Sequence, residues 1–146
     1  MKTTLVGVVG LAVVLVGCNS MDENLNTAER LQLALNRQKW SAQAVHNYSF
    51  DYNLSAMIFT HPLRINVRAD TVNRVTDRDT GAIYSNGGAP TIDSLFSSIE
   101  ALLSDRNNKP VIEYDGQAGY PTSIDAPSNI PDTGYSITVT NFQRLN

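Results

Sequence analysis

The sequence predicts an α+β domain, in which an antiparallel sheet of about five to seven strands carries two helices packed on one face. Apolar residues recur with helical period in two segments, and in several others they alternate with polar residues, as in strands with one solvated face. Turn residues separate neighbouring strand segments, which favours antiparallel pairing. The predicted element order is α-βββ(β)-α-βββ.

The second predicted helix has the clearest pattern in the chain. Its apolar residues share one stripe and are Ile92, Leu95, Phe96, Ile99, Leu102 and Leu103. Thr91 precedes the stripe as a candidate N-cap, and Asp93 lies in the first turn, where the helix dipole favours an anion. We expect the stripe to pack against the flanking strands.

The first helix is predicted from about Leu25 to Val45, because Asn26 and Glu29 have the spacing of a capping box. We expect its buried face to be formed by Ala28, Leu31, Leu35, Ala42 and Val45. Leu33 and Trp40 lie to the side of this face. Trp40 is interpreted as a packing residue that seals the join between helix and sheet.

Strand patterns follow this helix. Residues 46–58 alternate between apolar and polar, and Thr60-His61-Pro62 is predicted to be a turn. Further strands are predicted near residues 63–69, 72–75, 82–84, 111–114, 120–124 and 135–140. Asp77, Asp79 and Gly81 have the spacing that begins a calcium loop, but the third oxygen ligand and the distal Glu are missing. We therefore interpret residues 77–81 as a turn.

The N-terminus has the pattern of a bacterial lipoprotein. Residues 1–17 hold one lysine and then an apolar run, which is typical of a secretory signal peptide and is too short to span a membrane. Leu15-Val16-Gly17-Cys18 resembles a lipobox, whose cysteine receives a diacylglycerol. Cys18 is the only cysteine, so the mature chain has no disulfide within it. Acyl chains on Cys18 anchor a protein to the membrane effectively permanently.

The predicted organisation is a signal peptide at 1–17, a lipidated cysteine and short tether at 18–24, and one α+β domain at 25–146. In lipoproteins of bacteria with two membranes, an Asp after the cysteine usually signals retention in the inner membrane. By this resemblance, Asn19 favours the outer membrane, with the domain facing the periplasm. The mature chain keeps ten basic and fourteen acidic residues, a charge of −4, which argues against a nucleic-acid binder.

No motif for catalysis or metal binding is present. His46 and His61, the only histidines, lie at opposite ends of one predicted strand, about 45–50 Å apart if it is extended. The chain has no nucleophile elbow, no zinc-protease motif and no phosphate-binding glycine loop. We therefore expect neither a metal ion nor another cofactor. Glu113, Asp115 and Asp125 form a candidate acid–base group only if their environments separate their pKa values.

Two surfaces are candidates for binding. The first is the predicted turn that contains Asp115 and Tyr120, although Asp115-Gly116 also suits a purely structural turn. The second is a basic strip of Arg64 and Arg68, joined by Arg74, on the solvated face of the early strands. That strip is either an ordinary solvated face or a contact for an anion or a lipid headgroup.

Several of these segments resemble domain-of-unknown-function family 6174, a group of secreted bacterial proteins that includes many lipoproteins. The similar segments are Tyr48-x-Phe50, Thr91-Ile92-Asp93-x-Leu95-Phe96, Tyr114-Asp115 and Gly119-Tyr120-Pro121-Thr122-x-Ile124. The resemblance runs from about Trp40 to the end of the chain. It implies no established activity and no catalytic residue. Many members have a cysteine pair where this chain has residues 55–57, so it implies no disulfide or redox role here.

Three classes of function fit the sequence. The first is a non-catalytic, membrane-anchored module that binds another envelope protein. The second is a carrier of lipid or another apolar ligand, which requires a cavity between helices and sheet. The third is a hydrolase that uses Asp115 with Glu113 or Asp125. The missing catalytic motifs favour the interaction module.

Overall fold

The computed structural model describes residues 20–56, 59–84, 88–105, 108–128 and 133–146, and within these ranges it describes the side chains except those of 20–26, 59 and 61. Cys18 and the predicted signal peptide lie outside the described residues. No helix in the described part of the chain is both long and apolar enough to cross a membrane.

The fold class predicted from the sequence is confirmed. In chain order the elements are α1 (Ser20–Ala42), β1 (Tyr48–Ala56), β2 (Phe59–Arg68), β3 (Thr71–Asp77), β4 (Ile83–Tyr84), α2 (Ile92–Ser104), β5 (Val111–Tyr114), β6 (Pro121–Ala126) and β7 (Tyr135–Arg144). The strands form one seven-stranded sheet in the order β4-β3-β2-β1-β7-β6-β5. Every pairing between described neighbours is antiparallel.

Alternation along the strands places the core on one face of the sheet. On β1, Tyr48 and Phe50 are fully buried, and Phe50 lies opposite the fully buried Ile65 of β2. On the other side of β1, Val139 of β7 lies opposite Tyr52. Both helices cover this face. The opposite face, which carries Arg64 and most of the polar strand residues, is called the open face below.

Helix α2 matches its prediction. Its stripe is buried except for Leu102, which is half-buried, and Ile92, Phe96 and Ile99 are fully inaccessible. Thr91 caps the helix: its Oγ1 accepts a hydrogen bond from Ser94 N at 3.1 Å, and Ser94 Oγ accepts one from Thr91 N at 2.8 Å. This reciprocal pair satisfies two backbone donors at the first turn. The buried Tyr48 hydroxyl accepts a third bond, from Ile92 N at 3.1 Å.

Helix α1 differs from its prediction in its bounds. It begins at Ser20 and ends at Ala42, so residues 20–24, which were predicted to be a tether, are helical. Asn26 lies inside the helix, and the predicted capping box at Asn26 and Glu29 is wrong.

The predicted buried face of α1 is also wrong. The buried residues are Leu33, Asn36 and Trp40, whereas Leu31 is 58% exposed and Leu35 is 46% exposed. These two sets lie on opposite sides of the helix. The burial of Trp40 confirms that it is a packing residue.

The turn predicted at Thr60–Pro62 is wrong because these residues lie in β2. Asn53 of β1 lies opposite Pro62, and Leu54 lies opposite His61. A strand tolerates proline where no neighbour needs its missing N–H. Pairing with β3 begins at Leu63, and the Pro62 carbonyl accepts a hydrogen bond from Arg78 N at 2.8 Å.

Candidate functional site

The predicted turn between β5 and β6 is present, and Asp115 organises it. The Asp115 Oδ1 atom accepts hydrogen bonds from Gln117 N at 3.0 Å and from Ala118 N at 2.6 Å. The Gly119 N–H donates to the Asp115 carbonyl, and the Asp115 N–H donates to the Tyr120 carbonyl, both at 2.9 Å. An Asp that bonds to the backbone two and three residues onward is a common turn former. The Asp115 carboxylate therefore stabilises this turn.

Gly119 brings this turn against helix α1. Its φ of +82° lies in the region that favours glycine. A Cβ atom at this position would lie 2.6 Å from the Asn36 carbonyl oxygen and 2.8 Å from the Lys39 Cβ. Only glycine therefore permits this approach. Lys39 Nζ and Gln43 Nε2 also donate to the Gly116 and Gln117 carbonyls, at 3.5 and 3.4 Å.

An open cleft of about 640 Å³ lies where the end of α1, this turn and the end of β7 meet; we call it the α1–β7 cleft. Its lining residues are Lys39, Ala42, Gln43, Asp115, Gln117, Ala118, Tyr120, Phe142 and Arg144. The cleft therefore contains two of the residues predicted from the sequence, Asp115 and Tyr120. Lys39, Phe142 and Arg144 were not predicted, because no local pattern connects α1 with the last strand.

Aromatic rings form one wall of the α1–β7 cleft. Tyr120 stacks on Phe142 with 4.7 Å between ring centroids, and the edge of Trp40 packs behind both at 6.2 and 5.6 Å. Trp40 also meets the Tyr48 ring of the core at 5.4 Å. This ring cluster joins the cleft to the core and holds the Tyr120 and Phe142 side chains in place.

The charges in the cleft are mainly basic. Lys39 and Arg144 contribute positive charge, and Arg144 Nη2 donates to Gln43 Oε1. The one carboxylate of the lining, Asp115, is engaged by backbone N–H groups. Burial, and then the nearby Asp115 charge, raise the pKa of Tyr120, so its phenol stays protonated at neutral pH. The cleft thus combines a protonated hydroxyl, an apolar ring surface and two cations.

The predicted basic strip does not meet the cleft, because Arg64 lies on the open face. There, Arg64 Nε donates to Asp51 Oδ1. Arg68, at the end of β2, donates from Nη1 to the Asn146 backbone oxygen at 2.6 Å. Arg74 lies opposite Asn66 on the same face of the sheet.

A buried carboxylate that the sequence pattern does not predict lies beneath this strip. Asp51 was expected on a solvated face, yet its side chain is 4% exposed. Asn141 Nδ2 donates to Asp51 Oδ2 at 2.7 Å, and Arg78 Nε lies 3.3 Å from the same oxygen. Burial alone raises the pKa of Asp51, but the hydrogen bonds from Arg64 and Asn141 and the charges of Arg64 and Arg78 outweigh it and lower the pKa.

None of the three candidate acid–base residues is buried. Glu113 and Asp125 are exposed and belong to paired strands, with Glu113 opposite Ser123 and Asp125 opposite Val111. Asp115 is instead held within the turn.

The other predicted metal candidates also have local roles. Asp77 Oδ1 accepts hydrogen bonds from Asp79 N and Thr80 N at 2.9 and 2.7 Å, which confirms the turn at 77–81. His46 Nδ1 lies 2.8 Å from Asp70 Oδ2. His46 precedes β1 and His61 lies in β2, so the prediction that one strand carries both is wrong. Among the described residues, no three His, Cys, Asp or Glu side chains are grouped to hold a metal ion.

Comparison with known proteins identifies the family. No match to the chain is found among curated proteins. A family model described as a family of unknown function (DUF6174) matches residues 32–144. The matched range includes the buried half of α1, the whole sheet and the α1–β7 cleft. Because this match covers most of the sequence, the chain belongs to the DUF6174 family.

Proposed function

We propose that this protein is a lipid-anchored accessory module of the bacterial envelope that binds another envelope protein without catalysing a reaction. The anchor is an acylated Cys18, and the favoured location is the outer membrane, facing the periplasm. The lipobox pattern and the resemblance to secreted lipoproteins support this location. Since α1 begins at Ser20, an anchored Cys18 keeps the start of this helix close to the membrane surface.

The α1–β7 cleft is the proposed contact for the partner, and its lining is the observation that carries the proposal. Tyr120 and Phe142 offer an apolar surface that their mutual stacking holds in place. Lys39 and Arg144 add positive charge beside it. Aromatic and arginine side chains in such settings often dominate the energy of protein interfaces. A partner segment with an acidic residue next to an apolar one complements this lining.

The cleft favours binding over the two other classes of function. Its single carboxylate, Asp115, is held by two backbone N–H groups and has no second carboxylate in the lining for acid–base work. An apolar carrier requires an enclosed, mostly apolar cavity, whereas this cleft is open and carries charged groups on its rim. We therefore propose that the cleft binds a polypeptide rather than a lipid chain.

In-cell photo-crosslinking tests this proposal. A photoreactive amino acid replaces Gln117, which is exposed at the rim of the cleft, and in a control strain it replaces Thr138, which is exposed on the open face. We expect one recurrent envelope protein to be captured from position 117 and not from position 138. Lys39→Gln combined with Arg144→Gln is expected to reduce its capture, and Arg68→Gln combined with Arg74→Gln on the open face is the charge-matched control.

Two results would contradict the proposal. The first is capture of the same proteins at equal yield from positions 117 and 138, which would show contact by proximity alone. The second is capture of lipid but no protein from position 117, which would favour the carrier function.

A further inference from the structure

We propose that Arg64 and Arg78, which contact one buried Asp51 carboxylate on the open face, form a binding site for the phosphate group of an anionic ligand. This site is separate from the α1–β7 cleft and does not depend on the function proposed for it. The observation that suggests it is the Asp51 carboxylate, which is buried beneath two arginines on the open face, where neither helix covers the sheet.

The two guanidinium groups contact different oxygens of the Asp51 carboxylate. Arg64 Nε donates to Oδ1, and Arg78 Nε lies 3.3 Å from Oδ2. Asn141 Nδ2 also donates to Oδ2, at 2.7 Å. Asn141 has a φ of +50° at a bulge in the pairing of β1 with β7. Asn is one of the few residues that adopts this conformation at low cost.

Both arginines approach Asp51 most closely with Nε, so the Nη group on the opposite edge of each guanidinium does not face this carboxylate. In the described part of the chain, Asp51 is the only side chain with which either guanidinium makes a hydrogen bond or ion pair. The side chains are 34% exposed at Arg64 and 45% exposed at Arg78, while Asp51 beneath them is nearly inaccessible. Part of each arginine side chain is therefore accessible to solvent above a carboxylate that is not.

The charges favour an anion. Asp51 compensates one of the two arginine charges, which leaves the cluster with a net charge of about +1. Arg74 and Arg68 lie on the same face of β3 and β2 and add to the positive potential. Planar guanidinium groups pair with phosphate oxygens through two parallel N–H bonds. Fixing two such groups on a buried carboxylate lowers the entropy cost of binding a tetrahedral oxyanion.

The ligand class is thus a phosphate monoester or diester, carried either by a soluble molecule or by an anionic lipid headgroup. Thr76 lies opposite Arg64 on the neighbouring strand, and its hydroxyl is a further donor on this face. Since this arrangement needs β1, β2, β7 and the turn after β3 together, only the folded sheet creates the site.

The test is a titration of the full-length chain in zwitterionic micelles with inorganic phosphate, followed through the arginine Nε–Hε resonances. We expect saturable shifts at Arg64 and Arg78. Arg78→Gln is expected to weaken phosphate binding on the order of tenfold, the effect of losing one charge-assisted hydrogen bond. Arg78→Lys, which keeps the charge and loses the planar fork, is expected to weaken it less. Arg37→Gln, which removes a similar half-exposed arginine on the helix side, is the control.

A second arm distinguishes the source of the phosphate. The chain is placed in nanodiscs of phosphatidylcholine with or without phosphatidylglycerol, and no free phosphate is added. Shifts at both arginines only in the anionic nanodiscs identify a lipid headgroup, while shifts only with free phosphate identify a soluble ligand. An absence of saturable shifts in every arm would overturn the proposal. Equal phosphate affinity in the wild type and in Arg78→Gln would overturn it as well.

Discussion

The two helices lie on the same face of one sheet, yet the sequence predicts the buried face of α2 and not that of α1. Helix α2 has one apolar stripe, and all of it except the half-buried Leu102 is buried. Helix α1 has apolar residues on two sides; the side with more leucines is exposed, and the side with Leu33, Asn36 and Trp40 is buried. Periodicity identifies a buried face only when a helix offers a single candidate. For α1, contacts with residues distant in the sequence determine which of its two apolar sides is buried.

Those contacts are visible at the end of α1. Trp40 fits against the rings of Tyr48, Tyr120 and Phe142, and Gly119 lets the β5–β6 turn approach the helix backbone at Asn36. At the other end, Arg30 Nη2 donates to the Leu103 carbonyl at 3.0 Å. A large buried aromatic side chain contributes more to stability than two partly exposed leucines. The comparison therefore predicts very different effects for residues that look similar in the sequence.

The largest effect is expected at Trp40. Trp40→Ala should lower the free energy of unfolding by about 3–5 kcal/mol, because it removes the ring that joins α1 to the core and leaves a cavity. Chemical denaturation of the purified chain measures this loss. Trp40→Phe keeps part of the ring packing and should lose less. If Trp40→Ala were no more harmful than Gln38→Ala at an exposed α1 position, the buried face assigned to α1 would be wrong.

A similar loss is expected from the single stripe of α2. Ile99 is fully buried, so Ile99→Ala should cost about 2–5 kcal/mol in the same denaturation experiment. Ala101, on the exposed side of this helix, gives the control Ala101→Ser, which should have little effect. A negligible loss at Ile99 would contradict the burial of the α2 stripe.

A smaller effect is expected where the turn meets α1. Gly119→Ala should cost about 1–3 kcal/mol, since the new methyl group overlaps the Asn36 carbonyl and the Lys39 side chain. Gly116 is the matched control in the same turn, because a Cβ atom there meets no atom within 4 Å. Thermal unfolding of the two variants separates steric overlap from a general sensitivity of the turn. Equal melting temperatures would show that the close approach is absent.

The smallest effect is expected on the exposed side of α1. Leu31→Ser and Leu35→Ser should each change the free energy of unfolding by no more than about 0.5 kcal/mol, as is usual for surface positions. The measurement is again chemical denaturation, here of the chain in micelles. A loss comparable to that of Trp40→Ala would mean that these leucines are buried and that the original sequence prediction for α1 is correct.

The parts of the fold that follow from local pattern could be predicted. Thr91 and the α2 stripe define a helix by themselves, and Asp115 with Gly119 defines a turn. Pro62 is the reason why a turn was predicted at residues 60–62, because proline lacks the N–H group that the interior of a strand normally needs. Pro62 fits in β2 because the pairing with β3 begins only at Leu63. That limit is set by the tertiary structure and not by the local sequence.

The candidate sites show the same division. Asp115 and Tyr120 could be found because they flank one turn, whereas Lys39, Phe142 and Arg144 join them only through the placement of α1 and β7. Asp51 occupies a polar position of a strand, and its burial depends on Arg78 and Asn141, which come from other strands or turns. The position of β7 between β1 and β6 brings Phe142 and Arg144 to the cleft and Asn141 to Asp51. No local signal in the sequence fixes that order.

The most direct test of the proposed role is lipidation of Cys18, because an envelope accessory module of this kind requires its anchor. Cells that express the full-length chain are fed an alkyne-tagged palmitate, and the wild type is compared with Cys18→Ser after membrane fractionation. The account predicts that the wild-type chain carries the label and sediments with membranes. It also predicts that Cys18→Ser is unlabelled and is released from them. An unlabelled wild-type chain, or a label that persists in Cys18→Ser, would contradict the proposal of a lipid-anchored module.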